Sequence, residues 1–159
     1  MSDISDNQNS WSLIFGAWLI SCLSMGGSLF FSEVMEFPPC ILCWYQRIAM
    51  YPLVAIFMVG LFPLSKEVFK YSAPFVALGW LIALWHNLLH LGIIEEDLSP
   101  CREGVSCSTV YINWMGFITI PLLSFVAFSL LGVILFIFYR RHFMLKKIKN
   151  PKNMKLKRM

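Results

Sequence analysis

Four long apolar runs separated by short polar breaks dominate this chain. A bilayer core of about 30 Å needs roughly 20 apolar residues per helix, and stretches of that length with almost no charge occupy 11–32, 40–63, 71–91 and 111–139. The pattern predicts an all-α membrane protein: a four-transmembrane-helix bundle filling 1–139 as one domain, followed by a tail at 140–159. In the first run Ala17, Ser21, Ser24 and Ser28 recur at helical spacing, a small-residue face suited to close packing in lipid. Cys22 in the same run reads as a small apolar filler. Pro38 and Pro39 mark the start of the second span, because proline is tolerated in a first helical turn. Lys66 and Lys70 fall in the turn before the third span, and Pro121 is expected to kink the fourth.

Composition agrees with the membrane reading: 58% of the 159 residues are hydrophobic and 14% charged, against about 25% charged in soluble domains. The positive charge is localised. Nine of the thirteen Lys and Arg lie between Arg140 and Arg158, and the first forty residues carry none. Such a tail points to a cytoplasmic, lipid-facing end rather than to nucleic acid. Asp3 and Asp6 make the N-terminus acidic where a signal peptide is positive, so the first run reads as a retained span. With Lys66, Lys70 and the tail on the cytoplasmic side, both termini are cytoplasmic, and 33–39 and 92–110 face the extracytoplasmic side, where disulfides persist.

Four of the five cysteines form two close pairs on that expected outer face, Cys40 with Cys43 and Cys101 with Cys107. Cys40 and Cys43 form a C-x-x-C at a helix start, where the dipole and free N–H groups favour a thiolate. Arg47 lies four residues beyond Cys43 on the same helical face, and a cation in apolar sequence is by default a functional candidate. It can hold a thiolate, hydrogen-bond the carbonyl of an apolar ligand, or simply snorkel to the headgroups. Cys101 and Cys107, six residues apart in a polar loop, can close a ring open to thiol attack, or serve as a structural staple. Two dithiol pairs on one membrane face can pass oxidising equivalents between them. No dinucleotide fingerprint, P-loop or c-type haem motif supplies an acceptor. An apolar bundle with Trp44, Tyr45 and Arg47 beside the C-x-x-C suits a lipid-soluble quinone better than a water-soluble cofactor. His86 can donate to a quinone oxygen or move a proton, or be an interfacial histidine bonded to backbone. With His90 at i+4 and the cysteines it also matches a zinc spacing, but the Cys spacings are not both short knuckles, and no metal is expected.

Cys40-Ile-Leu-Cys43-Trp-Tyr-Gln-Arg47, with Gly104-Val-Ser-Cys107 and Tyr111-Ile-Asn-Trp-Met-Gly-Phe-Ile-Thr-Ile-Pro121, resembles the DsbB family of membrane quinone reductases, in its short BdbC-type form. The likeness extends over 11–139. It implies a four-helix bundle in the bacterial cytoplasmic membrane that reoxidises an extracytoplasmic thioredoxin-like dithiol oxidase of the DsbA or BdbD kind. Electrons would pass to a membrane quinone, menaquinone or ubiquinone. By the same resemblance Cys43 is the thiolate nearest the quinone and Cys40 its partner. Cys101 is the sulfur attacked by the oxidase, which leaves Cys107 to engage Cys40. Arg47 and His86 match the family's quinone-site arginine and third-helix histidine, and Trp44 joins them beside the cofactor. The loop is shorter and the second pair closer than in longer DsbB chains. Two other readings remain: a non-catalytic membrane protein braced by two disulfides, and an enzyme resembling vitamin K epoxide reductases that acts on a quinone-like substrate.

Overall fold

The structure, a computed structural model, describes residues 2–62, 67–93 and 119–149, with the side chains of 2–7 and 142–149 left aside. Four helices follow one another: α1 (Ser2–Leu29), continued by a π-helical turn (Phe30–Val34), α2 (Ile41–Leu61), α3 (Val68–His90) and α4 (Ile120–Lys149). No strand occurs among the described residues. All four are long and apolar enough to cross a membrane, over Gln8–Val34, Ile41–Leu61, Val68–His90 and Ile120–Arg141. Lipid offers no hydrogen bonds, so each span satisfies its own backbone by being helical. The all-α, four-helix architecture is the one the apolar runs predict.

Each helix packs on its neighbours in the chain, and α4 closes back on α1. The centre is dry: Ala17, Leu53, Phe57, Ala83, Phe128 and Leu131 are wholly buried. Large apolar residues such as Leu23, Val59, Leu78 and Phe136 point outward instead, as expected where the surrounding solvent is itself apolar. Interior hydroxyls are satisfied within their own helices, Ser21 donating to the Ala17 carbonyl at 2.9 Å and Ser72 to that of Val68 at 2.7 Å. Glycine permits two tight approaches: a Cβ on Gly60 would collide with Val68, and one on Gly79 with the Phe128 ring.

Helix ends depart from the apolar runs in several places. Lys70 is not in the turn but in the first turn of α3, paired with Glu67 at 2.6 Å, which lets the helix begin at Val68. Pro121 does not kink a long fourth helix. It lies in the first turn of α4, where its missing N–H is not needed, and the helix starts at Ile120. There the Asn87 side-chain amide donates to the carbonyls of Ala83 at 2.8 Å and Pro121 at 2.9 Å, tying α3 to the start of α4. Beyond Arg140 the helix continues to Lys149. Lys66, the 94–118 segment with Cys101 and Cys107, and the tail after 149 lie outside the described residues.

Candidate functional site

Between α1 and α2 the chain reverses in six residues. The π-helical turn ends at Met35, whose N–H donates to Phe30 O at 3.1 Å, and Glu36 takes a left-handed backbone with φ 55°. Pro38 and Pro39 then keep the chain extended, since each disfavours helical backbone in the residue before it. Cys40 becomes the N-cap of α2, with φ −70° and ψ 166°, and its sulfur accepts the Cys43 N–H at 3.4 Å. The C-x-x-C spacing is therefore a capping geometry, with sulfur in the place usually taken by a Ser or Asp oxygen.

The two sulfurs stand 3.0 Å apart as free thiols. From α3 comes His86, 2% exposed, with Nε2 3.8 Å from Cys40 Sγ. Its Nδ1 lies 3.3 Å from Nε2 of Gln46, a residue also buried, one turn past Cys43. The Cys43 backbone N–H donates to the Cys40 sulfur, and the Cys43 thiol and the imidazole stand within reach of it. The Cys40 thiol, just ahead of the α2 span, is accordingly held well below the usual range. The Cys43 hydrogen bond contributes most, against the opposing effect of burial, and His86 adds to it.

Arg47 reaches across to α1. Its Nε donates to Ser28 Oγ at 2.8 Å and its Nη2 to the Ser28 carbonyl at 2.9 Å, a bridge from α2 to α1. Trp44 stands half exposed on the outer face and covers the guanidinium, 5.4 Å from ring centroid to Cζ. Tyr45 also faces outward.

Cys40, Cys43, Gln46, Arg47 and His86 border a cavity of about 360 Å³ among the four helices at the end of the bundle that carries the C-x-x-C. Ser24 and Ser28 of the small-residue face open onto it, while Ala17 and Ser21 pack in the core. Cys40, Cys43, Gln46, Arg47, His86 and His90 supply most of its polar edge, and residues such as Met50, Leu123 and Phe128 its apolar wall. The volume falls in the range of about 300–1,000 Å³ typical of small-molecule pockets. His90 turns a buried Nδ1 toward this region without a hydrogen-bond partner among the described residues. Trp44 does not line the cavity; it reaches it only through Arg47.

Cys40, Cys43 and His86 offer ligand atoms within 4.8 Å of one another, the donor set of a soft cation. Two thiolates on one tetrahedral zinc, with Zn–S near 2.3 Å, sit about 3.8 Å apart. At the observed 3.0 Å the sulfurs would have to spread by about 0.8 Å to share a zinc ion.

Sequence reasoning placed Cys40, Cys43, Arg47 and His86 together and the structure does the same. It missed Gln46 as a partner of His86, and it read Ser28 as a packing residue. An uncharged amide between two flagged residues was the only signal for the first.

A profile of the family "Disulfide bond formation protein DsbB" matches residues 9–138. "Disulfide bond formation protein C" of Bacillus subtilis (strain 168) is 45% identical over 118 residues, covering 74% of this chain and 86% of its own. "Probable disulfide formation protein C 2" of Bacillus cereus (strain ATCC 10987 / NRS 248) is 43% identical over 121 residues, 76% of this chain and 86% of its own. A "Probable disulfide formation protein" of Metapseudomonas resinovorans is 35% identical over 133 residues, covering 83% and 92%. No solved structure matches the chain. A paired thiol at a helix start, a buried histidine against it, four membrane-length helices and this breadth of similarity lead to one assignment: the chain belongs to the DsbB family of disulfide bond formation proteins.

Proposed function

We propose that this chain is a membrane thiol:quinone oxidoreductase. It reoxidises an extracytoplasmic thioredoxin-like dithiol oxidase of the DsbA or BdbD kind, and so sustains disulfide formation. The observation that carries this reading is the Cys40–Cys43 dithiol opening onto an apolar cavity edged by Arg47, His86 and His90. The names of the relatives, disulfide formation proteins, support the direction of the reaction.

Oxidation of the partner removes two electrons and two protons from its dithiol, and thiol-disulfide exchange conserves both. The resemblance assigns Cys101 and Cys107 to receive them and Cys40 with Cys43 to take them next, the Cys40–Cys43 disulfide opening to two thiols. When bound, the quinone supplies the two-electron, two-proton acceptor that the protein itself lacks. The cavity fits such a group: its wall is apolar, and its polar groups are few and stand at the edge beside the sulfurs. Arg47 commits two of its five donors to Ser28, which holds the guanidinium at the cavity edge where it can meet a carbonyl oxygen. His86 holds or moves a proton at Nε2 beside Cys40. As the Cys40 thiolate and the Cys43 thiol close to a disulfide, the pair gives up two electrons and the Cys43 thiol hydrogen. The positive-inside pattern of the tail supports an extracytoplasmic position for this end of the bundle, in the bacterial cytoplasmic membrane.

The test is anaerobic quinone reduction by purified protein supplied with a reduced thioredoxin-like oxidase. Cys40→Ser and Cys43→Ser should each abolish turnover while the protein still folds. Turnover surviving either change would overturn the mechanism; lost turnover in a folded variant removes the reading in which the disulfides only brace the bundle.

A further inference from the structure

Gln46 has no part in the electron path just described, yet it is one of only four polar side chains buried in the described bundle, and another is His86. Its amide Nε2 stands 3.3 Å from His86 Nδ1. An amide nitrogen can only donate, so at this contact Nδ1 accepts, and a His86 ring that carries a single hydrogen carries it on Nε2. That nitrogen is the one facing Cys40 Sγ, at 3.8 Å. The two residues come from different helices, α2 and α3, and meet at the pair of sulfurs.

From this geometry we infer that Gln46 is a positioning residue: its amide selects the His86 tautomer whose N–H points at Cys40, and so aims a hydrogen-bond donor at that sulfur. The inference rests on the proposed function for its meaning but not for its geometry. Burial makes the selection effective, because a donor held against a donor in a dry interior leaves both unsatisfied, at about 1–3 kcal/mol. A carboxylate in the same place would impose the opposite choice, since it only accepts and draws the hydrogen to Nδ1. Glutamine is the side chain of this size that leaves the Cys40-facing nitrogen protonated while adding no charge. The other titratable or charged groups lining the cavity are Cys43, Arg47 and Tyr51 from α2 and His90 from α3. The described lining residues from α1 and α4, and Thr119 just ahead of α4, contribute no polar groups but hydroxyls, among them Ser28 and Ser124.

The experiment uses full-length protein carrying 15N-histidine, reduced and in detergent. The resonances of His86 are separated from those of His90 and His142 by a His86→Asn control. Wild type should show Nε2–H and unprotonated Nδ1. Gln46→Glu, of the same size, should move the proton to Nδ1. Gln46→Met should give a mixture and slow Cys40 alkylation by about tenfold, the low end of what loss of a histidine-orienting partner costs at metal sites. A side chain that merely fills space predicts wild-type tautomer and alkylation rate in Gln46→Glu, and that result overturns the proposal. Gln46→Met retaining the wild-type tautomer overturns it as well. If Gln46→Met does not fold, the isosteric variant still decides. Neither readout needs quinone or partner, so failure of wild-type quinone turnover would sink the proposed function and leave this inference standing on its own result.

Discussion

Adding one methyl group at Gly79 should reshape the cavity from behind. Gly79 on α3 faces the ring of Phe128 on α4. A Cβ there would stand 2.7 Å from Phe128 Cδ1 and closer still to Cε1 and Cζ. Restoring ordinary contact at about 3.4 Å moves Cδ1 by at least about 0.7 Å, and the other two atoms by more. Phe128 is 1% exposed and forms part of the cavity wall, so the ring must either swing into the cavity or push α3 and α4 apart. Overpacking of this kind costs about 1–3 kcal/mol, partly offset by up to about 1 kcal/mol of helix propensity gained on replacing glycine with alanine. Stability is therefore the blunter readout. A ligand that must push the ring back meets the full penalty, which raises the quinone KM by roughly 5- to 150-fold. The assay is quinone KM at saturating partner, with a thermal scan in detergent alongside. Gly60→Ala is the control: its clash is with Val68, remote from the cavity lining, so it should lower the melting temperature and leave KM alone. Gly79→Ala with Phe128→Leu should recover much of the KM. If Gly79→Ala destabilises like Gly60→Ala but binds quinone like wild type, Phe128 does not shape the binding space and the reasoning fails.

Ser28→Ala removes the acceptor of the Arg47 Nε bond but keeps the backbone carbonyl that receives Nη2. Losing one hydrogen bond to a charged group, about 1.5–3 kcal/mol at most, should raise quinone KM by about tenfold and leave partner exchange unchanged; an equal loss in both would argue that Arg47 is structural. For Cys40, a folded pKa held well below the ordinary thiol value means the thiolate persists as pH falls past the point where a free thiol is protonated. An ordinary thiol loses it near about 8.5. Ultraviolet thiolate absorbance of the reduced protein should therefore remain at pH 6 and fall in more acidic buffer, and a midpoint near 8.5 would refute the arrangement of donors around Cys40. His86→Ala should move that midpoint upward, because a contributor to the depression is gone.

The spans were readable because crossing a bilayer requires length and absence of charge, both properties of a linear string. Their ends were less so. A hydropathy reading stops where residues become polar, yet α1 begins at Ser2, among residues that are polar but still helical. Glu67 with Lys70 carries α3 three residues farther back than its apolar run. Pro121 read as a kink because the apolar stretch ran on past it toward residue 111, whereas the helix itself starts at Ile120. Cys40, Cys43, Arg47 and His86 could be singled out because thiols, a cation and an imidazole are conspicuous in apolar sequence. A serine hydroxyl and a glutamine amide are not, and their roles depend on which helices face each other.

From the sequence alone came the four membrane-crossing helices, the thiol pair at a helix start, the isolated cation and the chemistry these permit, because composition, spacing and local helical geometry act within one segment. Only the tertiary structure decided that Ser28 of α1 holds Arg47, that His86 of α3 stands beside Cys40, that Gln46 of α2 meets the other ring nitrogen of His86, and that Phe128 walls the cavity. Each of these is a contact between helices, set by which faces of the bundle meet, and no local pattern along a single span encodes it.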